Sequence, residues 1–187
     1  MNVPAFTSLE SERLLLRRFA ESDLSAFLAY LNDPQVARYQ TWESFSEGQA
    51  REVIETQKNL EPGAPGQWFT FAIELKATGA LVGHIALKML EDSRQAEIGF
   101  TLAREYHGKG LAFEAAARVL DYVFKNLGLH RVTAISDCEN HKSVTLLGKL
   151  GMRREGHFIQ NIWFKGKWGD EYLYAILREE WLRARAS

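Results

Sequence analysis

Two glycines around one lysine, Gly108-Lys109-Gly110, stand between a strand-like run (Gln95 to Leu102) and a run with helical spacing (Leu111, Ala115, Val119, Tyr122, Val123). A turn in that place brings its backbone N–H groups and a helix N-terminus to one spot. Such a spot carries partial positive charge and unsatisfied donors, which suits a phosphate or pyrophosphate. Glycine lets the backbone come close to the anion. The turn lacks the Gly-Lys-Ser/Thr ending of a P-loop, and its glycines are not spaced as a dinucleotide fingerprint. Cys138 has no local motif pairing it with a histidine, so packing is the simpler role for it. The five histidines are scattered without paired ligand spacing, and no metal site is expected.

The elements that must position this turn follow from pattern. Arg13 to Phe19 reads as a first strand after a loosely held start at residues 1–8. Ser22 or Asp23 can cap a helix carrying Leu24, Phe27, Leu28 and Leu31 on one face, and Asn32-Asp33-Pro34 stops it. Tyr39 to Phe45 is aromatic and irregular. Ser46 can cap a second helix reaching about Leu60, and residues 61–66 form a loop. Trp68 to Leu75, Leu81 to Met89 and Gln95 to Leu102 read as a meander. The helix after the turn is expected from Gly108 to Asn126, ended by Gly128. Arg131 to Ser136 follows as a strand, and strand–helix–strand in this order favours local parallel pairing. A short helix, Lys142 to Leu150, is closed by Gly151. His157 to Phe164 and Glu171 to Leu177 read as a hairpin around residues 165–170, and a last helix begins at Arg178. The sum is one α+β domain over residues 1–187 with a mixed sheet.

Three motifs together carry a family resemblance. Glu105-Tyr106-His107-Gly108-Lys109-Gly110 resembles the Gln/Arg-x-x-Gly-x-Gly/Ala turn of the GCN5-related N-acetyltransferases (GNAT), with Glu departing from the usual opening residue. Ser11-Glu12-Arg13-Leu14-Leu15-Leu16-Arg17 and Asn32-Asp33-Pro34-Gln35-Val36 are similar to the opening of the RimJ/RimL-type subgroup, which acetylates ribosomal-protein N-termini. Asn140-x-x-Ser143 with Leu146, Lys149, Leu150, Gly151 and Met152 is similar to the family's N-x-x-S/A-x-x-L-x-x-K-L-G-F/M helix.

The resemblance implies the acyl-CoA N-acyltransferase fold and transfer of acetyl from acetyl-CoA to an amine, without metal. It implies that the backbone at Phe100, Thr101 and Leu102 pairs with the pantetheine arm. It also implies that His107, Gly108, Lys109, Gly110, Leu111 and Ala112 hold the pyrophosphate, and that Asn140 and Ser143 border the arm. Glu97 is then the candidate base, acting through water, with a solvated outward position on an alternating strand as the other reading. A tyrosine often stands where this chain has Leu147, which cannot donate a proton, so the acid role passes to Ser143 or to water. Asn140 and Ser143 can equally serve as helix-start residues. Tyr39, Trp42 and Phe45 are candidate acceptor contacts, or core or lid packing. The tail aromatics Trp163, Phe164, Trp168 and Tyr172 can fill the core, shape the pocket or form a homodimer contact.

The acceptor is either a protein N-terminal α-amine or a small amine. The first has a pKa of roughly 7.7–8.0 and the second, if lysine-like, of about 10.4, so the second needs more help to become neutral. A CoA-binding module without catalysis is the alternative, motivated by Glu105 and Leu147. Composition limits the remaining classes. The chain has 187 residues, 46% apolar and 25% charged, and a net charge of −1, so no nucleic-acid surface is indicated. No signal peptide and no bilayer-length apolar run is visible, and the single cysteine fits a reducing compartment; a cytoplasmic location is expected.

Overall fold

The computed structural model describes residues 6–186. The loose start expected at residues 1–8 lies partly outside them. Inside them it is replaced by order: Phe6 packs edge-on against Phe69 and Phe71 with ring centroids 5.4 and 5.3 Å away, and β1 is Ser8–Glu10.

β2 (Leu14–Arg17) pairs with β1 and with β3 (Trp68–Leu75). Between β2 and β3 lie α1 (Leu24–Leu31), α2 (Pro34–Ala37) and α3 (Glu47–Gln57). Asp33-Pro34 ends α1 as expected, but it also starts α2. The Asp33 carboxylate accepts from the Gln35 N–H at 2.8 Å, and proline stands in the first turn. Ser46 caps α3 through a reciprocal bond with Gln49.

β4 (Ala80–Met89) and β5 (Gln95–Leu102) complete the meander. α4 (Leu111–Asp121) is shorter than the expected 108–126 helix. Gly108 and Gly110 have φ of +74° and +76°, outside helical geometry, so the helix starts only at Leu111. At its far end Tyr122–Asn126 widen into a π turn.

β6 (Arg131–Asp137), α5 (His141–Lys149), β7 (Arg153–Phe164), β8 (Lys167–Leu177) and α6 (Arg178–Ala184) follow. The loop expected at residues 165–170 shrinks to Lys165-Gly166. Both residues have positive φ (48° and 80°), the geometry of a two-residue primed hairpin turn.

The eight strands run in the order β1-β2-β3-β4-β5-β6-β8-β7. All neighbours are antiparallel except β5 and β6, which are parallel, as the α4 crossover between them requires. The sheet is mixed and flanked by helices, the expected α+β architecture.

Alternation along the strands divides the interior. Phe69, Phe71, Ile73, Ile85, Ile98 and Val132 pack with α4, α5 and α6. Ala72 and Leu81 pack with Phe27, Tyr30 and Leu31 of α1 and with Ile54 of α3. Among the described residues no helix is long and apolar enough to cross a membrane.

Candidate active site

The site begins where two strands part. β5 and β6 pair only through Gln95↔Arg131, Ala96↔Val132 and Glu97↔Thr133. Beyond that, β5 continues bonded to β4 and β6 continues bonded to β8. A gap therefore opens between Ile98–Leu102 and 134–137, and β5 runs on from it to the glycine turn.

A cavity of about 310 Å³ occupies the opening. Glu97, Ile98, Gly99 and Phe100 line one side, Ala134 to Asp137 the other, and Asn140 and Ser143 join them at the start of α5. Tyr39, Gln40 and Thr41 come from the irregular segment, while Ile162, Phe164 and Glu171 come from the β7–β8 hairpin. The hairpin tip reaches α2, where Lys165 Nζ donates to the Ala37 carbonyl.

Glu97 stands at the point of divergence. Burial raises its pKa above the usual carboxylate range, Lys88 across β4 opposes the rise, and Glu171 adds to it. A carboxylate there is a better proton acceptor near neutral pH than a solvated one. Asn140 caps α5 through its side-chain oxygen, which accepts from the Ser143 N–H at 3.2 Å. The amide NH2 of Asn140 takes no part in the cap.

Thr101 is buried, and its hydroxyl accepts from Gln40 Nε2 at 3.3 Å. His107 Nε2 donates to the Leu102 carbonyl at 2.9 Å, which ties the turn back to β5. No backbone carbonyl of the described residues accepts from the N–H of Gly108, Lys109 or Gly110. A Cβ built on Gly108 would meet nothing within 4 Å. The turn thus offers free donors and open space, which fits a pyrophosphate.

Several expected residues are placed differently. The Leu111 side chain is buried in the core, so only its backbone can face a ligand. Ala112 likewise packs against that core. Lys109 holds its ammonium 5.4 Å from the centre of the Tyr106 ring. Trp42 does not line the cavity; its Nε1 donates to the Leu31 carbonyl at 3.1 Å and its ring packs edge-on against Phe45. Tyr39, in contrast, lines the cavity. Leu147 is fully buried in the core, and Ser143 is the α5 residue that lines the cavity. Burial raises the Cys138 pKa, Tyr172 opposes this, and Asp170 and Asp137 add to it, which disfavours the thiolate form.

Gln40, Thr41, Trp68, Asp137, Ile162 and Glu171 escaped the sequence reading. Asp137 and Glu171 are directly opposite each other on β6 and β8. Only the strand register reveals that pairing, since 34 positions of chain order hide it.

The acetyltransferase (GNAT) domain family matches residues 13–153. The chain belongs to this family. It is 37% identical over 175 residues to the Bacillus subtilis protein named uncharacterized N-acetyltransferase YnaD, covering 92% of this chain and 98% of that one. A GNAT-family acetyltransferase structure from Bacillus anthracis superposes with a TM-score of 0.84 at 35% identity, over 92% of this chain and 99% of that one. The spermidine N-acetyltransferase of Vibrio cholerae, solved with CoA and spermine, is similar at TM-score 0.80 and 26% identity, over 92% and 99%. The protein is an N-acetyltransferase of the acetyl-CoA-dependent kind.

Proposed function

We propose that this N-acetyltransferase acetylates a primary amine that arrives as a cation in the cavity between β5 and β6. The observation that carries the reading is the Asp137–Glu171 pair. Like charges directly opposite on adjacent strands destabilise a sheet, and the lining holds Glu97 as a third carboxylate but no Lys, Arg or His. Glu171 accepts from Asn161 Nδ2 at 2.6 Å and Asp137 from the Glu139 N–H at 2.7 Å, both neutral donors, so a bound cation would be the first positive charge supplied to this pair. Tyr39, Trp68 and Phe164 add aromatic walls, each ring already faced by a protein cation: Arg38 at 5.0 Å, Lys88 at 5.9 Å and Lys165 at 4.8 Å. The likeness to a spermine-bound acetyltransferase supports the same class.

Acetyl-CoA, when bound, supplies the acetyl group as an activated thioester. The edge of β5 at Phe100, Thr101 and Leu102 would hold the pantetheine arm in place of a strand, apart from the Leu102 carbonyl, which already accepts from His107. The N–H groups from Gly108 to Ala112 would hold the pyrophosphate, whereas that of His107 already donates to the Arg104 carbonyl at 3.1 Å. The Asn140 amide would bond the arm. Glu97 accepts the amine proton through water, and the Ser143 hydroxyl passes a proton to the departing sulfur while taking one from water, so that it ends neutral. Exclusion of bulk water by the hairpin and by residues 39–41 strengthens each of these contacts.

The test is free-thiol release across diamines, polyamines, neutral-tailed monoamines and N-terminal peptides. Cationic diamines or polyamines should outperform monoamines of equal length. Glu171→Gln should raise KM for them about tenfold, consistent with one charge-assisted bond, with KM for acetyl-CoA unchanged. Peptides outperforming every small amine would move the acceptor to protein N-termini. Absence of thiol release with any acceptor would leave a CoA-binding module.

A further inference from the structure

Arg13, at the entrance to β2, is in contact with the cofactor turn although 96 positions separate it from Lys109. Its Nη1 donates to the Lys109 carbonyl at 3.0 Å, and its Nε donates to Glu114 Oε2 at 2.7 Å. The other oxygen of Glu114 accepts from the Arg13 N–H and from the Ser11 hydroxyl, each at 2.7 Å. Arg13 Nη2 lies 3.4 Å from where a Cβ of Gly110 would stand.

We infer that Arg13 is a positioning residue for the pyrophosphate turn, holding the Lys109–Gly110 peptide in the orientation that presents its N–H outward and cancelling the charge of Glu114. The inference rests on the reading of the turn as the CoA site.

The first half follows from peptide geometry. The Lys109–Gly110 unit is planar and trans, so its carbonyl and its N–H point in opposite directions. A guanidinium that holds the carbonyl therefore aims the Gly110 N–H away from itself. Both glycines have positive φ and no side chain, so nothing within the turn fixes that peptide. Arg13 can fix it because Glu114 holds the guanidinium in turn. The planar fork of arginine bridges a carboxylate and a carbonyl at once, which a lysine ammonium does less well.

The second half is electrostatic. Glu114 lies in the first turn of α4, close to where the pyrophosphate is expected. Burial works to raise its pKa, but the Arg13 N–H, the Ser11 hydroxyl and the Arg13 guanidinium outweigh that and lower it, so it stays ionised. Unpaired, such a charge favours the helix but repels an anion at the same end. Arg13 removes the repulsion while leaving the helix contact intact.

The experiment compares ligands with and without the diphosphate. Calorimetric Kd is measured for CoA and for pantetheine, with KM for acetyl-CoA and for S-acetylpantetheine alongside. Arg13→Met should weaken CoA binding about ten- to a hundredfold, the range of one lost charge-assisted bond plus an exposed carboxylate. Pantetheine binding and KM for S-acetylpantetheine should hold within twofold. Adding Glu114→Gln to Arg13→Met should recover part of the CoA affinity, because the repelling charge is gone while the carbonyl remains unheld. Arg13→Lys should fall between wild type and Arg13→Met, and it reads the same ratio if Arg13→Met does not fold. Equal losses for CoA and pantetheine, or an unchanged CoA Kd in a folded variant, would overturn the inference. Wild-type protein that binds no CoA would instead sink the reading of the site itself.

Discussion

Glu97 and Ser143 carry the residue-scale predictions. Glu97 is pushed above the ordinary carboxylate range by burial, against Lys88 and with help from Glu171. As a base it must be deprotonated, so the acid limb of kcat/KM should lie above the ordinary 4.5 of a glutamate. Glu97→Gln should abolish that limb and lower turnover roughly 10²–10³-fold, with little change in CoA affinity. The same residue predicts stability of opposite sign. A carboxyl whose folded pKa is raised binds protons more tightly folded than unfolded, so its contribution falls as pH rises from 4.5 through the raised value. Glu97→Gln should therefore melt higher than wild type at pH 7 and equally at pH 4. A wild-type rate across pH would return Glu97 to a solvated role. Ser143→Ala should slow transfer about ten- to a hundredfold, because a thiolate with a pKa of roughly 8.5 needs only modest help in leaving. Full activity would assign the proton to water. That these two residues meet at one cavity was legible because each sits in a local motif. The meeting of Asp137 and Glu171 was not, because it depends on cross-strand register.

Elements were legible where a local signal marks both ends. The β3–β5 meander has turns and alternation in the sequence, and α3 has its Ser46 cap, although it ends at Gln57 rather than near Leu60. The start of α4 was misread because helical spacing of apolar residues says nothing about φ, and the two glycines take left-handed values. β1 and α2 are too short to show a period. The approach of β4 to β5 was equally hidden. At Gly83 a Cβ would stand 2.2 Å from the Thr101 oxygen and 2.8 Å from the Leu102 Cα, both backbone atoms. The strands can lie this close only because Gly83 has no side chain, and β5 is the strand that borders the gap. Gly83→Ala should force the two apart and destabilise the fold by about 1–3 kcal/mol, the range for overpacking. The displaced backbone at Thr101 and Leu102 should also weaken CoA binding. Urea unfolding and calorimetry check both effects. A wild-type urea midpoint would mean that the neighbouring backbone yields without penalty.

Across the whole molecule, the sheet separates two cores, and the one beneath α1 contains a titratable pair. Tyr30 on α1 and His84 on β4 share a hydrogen bond of 2.7 Å between the phenol oxygen and Nδ1, and both side chains are buried. Burial lowers the His84 pKa from 6.5 to about 4. Burial, with Asp23 adding to it, raises that of Tyr30, which remains protonated. In the folded chain His84 is therefore neutral throughout the physiological range, whereas in the unfolded chain it takes up a proton below about 6.5. The unfolded state binds more protons between pH 6.5 and 4, so stability rises with pH in that window and is level above it. At pH 5 the loss relative to pH 7.5 should be about 2 kcal/mol, from about 1.4 kcal/mol per pH unit. Replacing the imidazole with a group that cannot charge tests the assignment. His84→Gln keeps a polar side chain within reach of Tyr30 and should be less stable than wild type at pH 7.5, since an imperfect bond in a buried site is costly. Its urea midpoint should nevertheless fall less between pH 7.5 and 5 than that of wild type. Parallel pH dependence in the two proteins would place the acid sensitivity in carboxylates elsewhere, such as Glu114 and Asp121, whose pKa values their hydrogen-bond and ion-pair partners lower against burial.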